Sequence, residues 1–120
     1  MQSAGELARP DAPTCRLDER LQDVRARLRQ GSWDTCVVVN EQRIVLGRLG
    51  RRALARDDDV VVEAAMTAGP RTYRPSIGAD ALLGRLEQGR LSTAVITTSD
   101  GRLVGVVLRE DLARIRDEGA

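Results

Sequence analysis

The sequence predicts an α+β fold built from two pseudo-symmetric β-α-β-β-α halves, and three observations carry that expectation. The first is the stretch 93–112, TAVITTSDGRLVGVVLREDL, in which two β-branched runs flank Asp100-Gly101 and lead into a charged helix start. An Asp-Gly pair between apolar runs marks a tight hairpin, since both central residues of a type I′ turn take positive φ. The second is repetition. Sliding the chain by 58 positions sets Gly47 on Gly105 and leaves 13 identities over the 43 positions from 14 to 56, among them Thr14/Thr72, Arg27/Arg85, Thr35/Thr93 and Leu54/Leu112. The third is that the runs Val37–Val39 and Leu103–Val107 are nearly continuous rather than alternating, as suits strands covered on both faces. A repeat of this length cannot bury its own apolar face, so the two copies are expected to pack into one module, with domains at 1–58 and 59–120.

Residues 1–13, with Gly5, Pro10 and Pro13, read as a loose lead-in with one turn around Glu6–Ala8. Thr14–Leu17 is a short strand. Asp18 is placed to cap a helix that runs to Gln30, with Leu21, Val24 and Leu28 on one face and Gly31 as its stop. Trp33 precedes the strand Thr35–Asn40, where it covers the sheet edge or lines a cleft. A turn at Glu41-Gln42 returns the chain through Arg43–Leu49, and a second helix begins near Gly50-Arg51-Arg52. Asp57-Asp58-Asp59 reads as the start of a short helix over Val60–Met66, because carboxylates are favoured at the positive end of the helix dipole. Gly69-Pro70 closes it. The second copy gives the strand Arg71–Arg74 and a helix from Ala79 to Gln88, with Leu82, Leu83 and Leu86 on its apolar face and a stop at Gly89. A last helix runs from Arg109 to about Arg116, before a frayed 117–120.

Composition excludes several classes of function. With no Phe, one Tyr and one Trp, the core must be aliphatic. A formal net charge of +1, from basic residues that are all arginine, sets up no long-range field for nucleic acid or anionic lipid, and no aromatic interleaves the arginines. No apolar run is long enough to cross a membrane, and residues 1–13 lack the apolar core of a signal peptide, so the cytoplasm is expected. Cys15 and Cys36 are too few for a disulfide scaffold and, without His, for a zinc site; they are reduced buried thiols or, alternatively, a redox pair. There is no His for general acid–base work, no nucleophile elbow, no Walker loop and no metal-ligand spacing. Neither an enzyme nor a metal site is expected.

The repeat resembles the cystathionine-β-synthase (CBS) domain, and the tandem pair resembles a Bateman module. The resemblance is carried by DGRLVGVVLREDL at 100–112, its echo NEQRIVLGRLGRRAL at 40–54, and AMTAGPRTYRPS at 65–76. It implies a cytoplasmic sensor that binds AMP, ADP, ATP or S-adenosylmethionine between its two motifs and regulates an attached or partner protein. Such modules usually pair into disc-shaped dimers. The family's ligand motif is a glycine, two apolar residues, Thr or Ser, two variable residues and Asp. The Asp accepts hydrogen bonds from the ribose hydroxyls, and such charge-assisted bonds contribute about 1.5–3 kcal/mol each.

In the second repeat that motif reads Gly105-Val106-Val107-Leu108-Arg109-Glu110-Asp111, which keeps Asp111 but sets Leu108 in place of the hydroxyl residue. In the first it reads Gly47-Arg48-Leu49-Gly50-Arg51-Arg52-Ala53 and keeps neither. By resemblance, the remaining lining of the Asp111 site is Thr72-Tyr73-Arg74 and Ser92-Thr93-Ala94, whose backbone meets the adenine, with Arg109 toward a phosphate. Plainer alternatives stand beside these: Arg109 as an exposed first-turn arginine, and Asp111 as a charge at a helix N-terminus, worth about 0.3–1 kcal/mol. Arg48, Arg51 and Arg52 either hold an anion or form a solvated basic helix start. Two functions remain. One is a regulatory sensor of an adenosine-containing ligand in the inter-motif cleft at Asp111, with no other cofactor. The other is a ligand-free CBS pair that serves as a dimerisation or docking module. A homodimer is expected because Leu82, Leu83, Leu86, Leu112 and Ile115 exceed what one small core should absorb.

Overall fold

A computed structural model describes residues 2–118. The fold is α+β. Its elements in order are α1 (Ala4–Leu7), β1 (Thr14–Cys15), α2 (Leu21–Leu28), β2 (Cys36–Val39), β3 (Val45–Leu49), α3 (Arg51–Leu54), α4 (Val62–Ala65), β4 (Thr67–Ala68), β5 (Thr72–Tyr73), α5 (Ala79–Gly89), β6 (Thr93–Thr97), β7 (Leu103–Leu108) and α6 (Arg109–Glu118). The chain forms two compact units. Residues 12–70 make the first-repeat unit, and 71 onward, joined by the lead-in up to Asp11, make the second-repeat unit.

The first-repeat unit holds a sheet of order β1-β2-β3-β4. β1 runs parallel to β2, with Cys15 opposite Val38, and β2 runs antiparallel to β3, with Cys36 opposite Leu49 and Val38 opposite Gly47. Every residue of β2 is buried, which accounts for a continuous apolar run in place of alternation. α2 lays Leu21 and Val24 onto Cys15, Cys36, Val38, Leu49 and Val62. Burying each such Leu or Val fully stabilises the fold by about 1.5–3 kcal/mol. The two thiols are neighbours. The Cys36 thiol is pushed up first by its hydrogen bond with Cys15 and then by burial, which keeps it neutral.

Three local expectations fail here for physical reasons. Asp18 does not cap α2; Arg20 stands at the cap position, and Leu21 N–H donates to the Val60 carbonyl (2.8 Å) while Val62 N–H donates to Glu19 (2.8 Å). Chain pairing satisfies the helix end in place of a side chain. The aspartates at 57–59 do not start α4, which follows Val61. Asp58 instead takes a two-point contact from Arg56 (2.9 and 2.6 Å), and Asp59 accepts from Arg20 (3.3 Å). β4, a two-residue edge strand, left no periodic signal in the sequence.

In the second-repeat unit the sheet has the order β5-β6-β7, with β5 parallel and β7 antiparallel to β6. The hairpin is not a type I′ turn, since Gly101 has φ 89° while Asp100 stays out of the left-handed region. Thr98 N–H donates to Arg102 (2.9 Å) and Gly101 N–H to Thr98 (3.0 Å), as in a type I turn followed by a left-handed glycine. The helix stop also differs. Gly89 stays helical and Arg90 takes the left-handed conformation (φ 54°), with Leu91 N–H closing on the Leu86 carbonyl (2.9 Å). Leu82, Leu83, Leu86 and Leu112 all enter this unit's own core with Ala94, Ile96 and Val107. The four leucines are therefore absorbed, and of the five residues that suggested a homodimer only Ile115 stays outside this cluster, half-buried. α6 runs two residues past the expected end, to Glu118; the remainder of the expected frayed tail, 119–120, lies outside the described residues.

The lead-in is not loose. Ala4 is fully buried, Ala4 N–H donates to Ile77 (2.8 Å) and Gly5 N–H to Pro75 (2.9 Å), and Leu7 and Ala8 pack on the core. Arg9 exchanges both backbone hydrogen bonds with Val106 (2.8 and 3.2 Å). The same register pairs Thr67 with Arg48 in the other unit, 58 positions away at each end. In both units the segment that precedes a repeat's opening strand thus lies against a third strand.

Two outcomes follow for stability. A Cβ on Gly105 would stand 2.7 Å from the Arg9 carbonyl oxygen, whereas one on Gly47 would first meet the flexible Met66 side chain. Gly105→Ala is expected to cost about 1–3 kcal/mol in chemical denaturation, and more than Gly47→Ala. Glu19 accepts from Arg27 and from Arg16 N–H (2.7 Å), and the Arg27 bond holds its carboxyl below the ordinary range. That contribution is complete at neutral pH and is lost as pH falls through the depressed value, so Glu19→Gln should destabilise at neutral pH and have little effect in strong acid.

Candidate functional site

β7 runs directly into α6, and the junction is fixed on both sides. Leu108 pairs with Thr93, and Arg109 N–H donates to the Ser92 carbonyl (2.9 Å). Asp111 then lies in the first helical turn, where the dipole favours a carboxylate. Its side chain is only 9% exposed, and a buried carboxylate is costly unless it is paired and hydrogen-bonded. Arg9 supplies the pairing. Nε donates to Oδ2 (3.0 Å) and Nη2 to Oδ1 (3.1 Å), a two-point fork, and Arg114 Nη2 adds a bond to Oδ1 (3.2 Å).

Backbone placement makes this possible. Arg9 is held beside Val106 because Gly105 has no side chain to obstruct the Arg9 carbonyl. In the first-repeat unit the counterpart of Arg9 is Thr67 and that of Asp111 is Ala53, so both ends of the ion pair are missing together. The sequence did not single out Arg9 because the lead-in looked unstructured. The signal was nonetheless available: the 58-residue shift carries Ala65-Met66-Thr67, at the head of AMTAGPRTYRPS, onto Leu7-Ala8-Arg9.

The nine residues expected around the ligand separate into groups. Ser92, Thr93, Leu108 and Arg109 meet at the β7–α6 junction, with Asp111 half a turn further on. The Arg109 side chain is half-buried and forms no ion pair among the described residues. Tyr73 and Ala94 belong to the core formed with α5, and the Tyr73 hydroxyl is buried with no hydrogen-bond partner among the described residues. Thr72 pairs with Val95, and its hydroxyl accepts from Arg74 Nη2 (2.8 Å). Arg74 itself reaches the Thr98 carbonyl, at the opposite end of β6 from Ser92. In the first repeat, Arg48, Arg51 and Arg52 do not converge. Arg48 is drawn inward, where burial lowers its pKa and its Nε donates to Thr35 (3.0 Å), while Arg51 binds Asp34 (3.2 and 2.7 Å).

Two sheets, each with a parallel opening strand, an antiparallel hairpin and flanking helices, define a pair of CBS motifs, and comparison with known proteins agrees. Residues 61–118 match the family model for the CBS domain. Similar solved structures include the cytosolic domain of the Mg2+ channel MgtE in complex with ATP, at 22% identity and a TM-score of 0.86, over 95% of this chain and 48% of that one. The CBS domain pair of protein MJ0100, in complex with 5′-methylthioadenosine and S-adenosyl-L-methionine, matches at 17% identity and a TM-score of 0.85, over 100% and 99% of the two chains. CBSX2 in complex with AMP matches at 16% identity and a TM-score of 0.88, over 98% of each chain. At such identities the likeness establishes the fold. The chain spans about half the length of the MgtE domain and of the soluble part of a magnesium transporter, which it also matches. Comparison with curated proteins finds no significant match. The second repeat is matched to the CBS family by sequence, and the chain as a whole has the fold of a CBS domain pair. Among the described residues no helix is long and apolar enough to cross a membrane.

The Arg9–Asp111 contact should behave as a coupled pair. In a double-mutant cycle of Arg9→Ala and Asp111→Ala, chemical denaturation should give a coupling of about 1–2 kcal/mol, reduced from a fully buried pair because Arg9 is 44% exposed.

Proposed function

We propose that this chain is a regulatory module that senses an adenosine-containing ligand of the AMP, ATP or S-adenosylmethionine class through Asp111, and acts on an attached or partner protein. Asp111 carries the reading. It stands at the aspartate place of the CBS ligand motif, and its two oxygens are presented together by the fork of Arg9. The complexes of similar structures with ATP, AMP and S-adenosyl-L-methionine support the ligand class.

A ribose needs the carboxylate oxygens that Arg9 now holds. Binding therefore exchanges the Arg9 bonds for ribose bonds, and the released guanidinium, already about half exposed, turns to an anionic group of the ligand or to water. Leu108 leaves the neighbouring position without a hydroxyl, and Ala53 leaves the first repeat without a ribose acceptor, so one ligand per chain is the upper limit for ribose-anchored binding at the two motifs.

The ligand-free docking module is the second reading, and the same ion pair favours it. With Arg9 and Arg114 in place, Asp111 is satisfied with no ligand at all. Isothermal titration of AMP, ATP and S-adenosylmethionine separates the two. For the sensor, Asp111→Ala should weaken binding by about ten- to a hundredfold, Arg9→Gln should tighten it, and Leu108→Thr should add about 1 kcal/mol, the worth of one restored hydrogen bond. Failure of all three ligands on wild type, Arg9→Gln and Leu108→Thr would select the docking module.

A further inference from the structure

The two repeats differ most after their third strands. α6 continues for ten residues and brings Leu112 into the cluster that buries Leu86. α3 stops after four, at Leu54. The counterparts of Ile115, Arg116 and Asp117 are Asp57, Asp58 and Asp59, and three carboxylates oppose continuation because the C-terminal end of a helix already carries partial negative charge. With no helix over it, Leu28 of α2 is only half-buried, where its counterpart Leu86 is fully buried.

The space left is a cleft of about 570 Å³ with Leu28, Trp33 and Leu54 among its walls. That volume lies in the usual small-molecule range of about 300–1,000 Å³. Trp33, which the sequence placed at a sheet edge or in a cleft, is half-buried here and is the chain's only tryptophan. Four arginines and two aspartates also line the cleft. Arg51 is neutralised by Asp34, and Arg56 by Asp58. Arg25 bonds to the backbone carbonyls of Arg56 and Asp58, and its charge also helps to hold the Asp58 carboxyl below the ordinary range. Arg29 is exposed and has no partner of either kind among the described residues. With Asp57 also in the lining, the cleft keeps one positive charge in excess, and the unpartnered Arg29 borders an apolar wall that contains an indole.

We propose that this cleft is a binding site for a planar aromatic small molecule bearing a phosphate or carboxylate. The ring lies against Trp33 between the two leucines, where an offset stack is favourable, and the anion is taken by Arg29 and Arg25. The site lies wholly within the first-repeat unit and owes nothing to Asp111.

Because the chain has one tryptophan, its indole N–H gives a single resonance that reports on the cleft in the intact protein. Phenyl phosphate and benzoate are the probes, with the stronger of the two identifying the anion. The better probe should move the resonance saturably, while inorganic phosphate alone and phenol alone, each with half of the chemistry, should bind at least about tenfold more weakly. Arg29→Gln removes an exposed, unpartnered side chain without threatening the fold, and it should weaken the better probe about tenfold. Arg71→Gln, the same charge change at an exposed position of the other unit, should leave it unaltered. A resonance indifferent to both aromatic anions overturns the proposal. So does one that responds equally to inorganic phosphate or phenol, or a titration that Arg29→Gln leaves unchanged or that Arg71→Gln weakens as much.

Discussion

Gly105 and Gly47 hold open the places where each sheet is finished. Ala8 and Arg9 come against β7 only because Gly105 presents no Cβ to the Arg9 backbone, and Met66 and Thr67 come against β3 at Gly47 in the same way. The pairing satisfies backbone groups that an open strand edge would leave exposed. In the second-repeat unit it also sets the position of a side chain. Arg9 reaches Asp111 because its backbone is registered on Val106, five residues earlier in the chain than that aspartate. A residue without a side chain therefore governs the surroundings of the carboxylate on which the ligand reading rests.

That carboxylate illustrates how burial constrains chemistry. Withdrawn from water, Asp111 must have partners in every state of the protein, and Arg9 and Arg114 are its partners when nothing else is present. The site is organised and occupied at once. On the proposed sensor reading, a ligand at Asp111 is weighed against an internal competitor, and its affinity is the difference between two sets of charge-assisted bonds, not the sum of one. The first repeat has moved away from this chemistry at both ends, with Thr67 and Ala53 in place of the charged pair, and no buried charge is stranded there.

The same divergence gave the first repeat its cleft. With Asp57-Asp58-Asp59 where the second repeat has Ile115-Arg116-Asp117, α3 stays short, Leu28 is part-exposed, and nearby arginines turn to backbone carbonyls and aspartates. Symmetric ancestry in the repeat thus ends in two unlike surfaces, one centred on a buried carboxylate and the other on an indole bordered by guanidiniums.

The sequence alone determined the repeat, its 58-residue spacing, the aliphatic core and the order of the main helices and strands, because apolar periodicity and turn residues act over a few neighbours. It also marked Asp111 as the surviving motif carboxylate and Trp33 as a residue with an edge or a cleft to fill. Tertiary structure decided the rest. The cap of α2 came from chain pairing with Val60 and not from Asp18, the three aspartates went to arginines and not to a helix start, and the lead-in joined the second-repeat unit through Ala4 and Arg9. Each of these outcomes depends on groups brought together from distant positions, as Arg9 and Asp111 are across 102 residues. Local propensity carries no record of such contacts; only the closed sheet, with room beside Gly105, brings them within hydrogen-bonding distance.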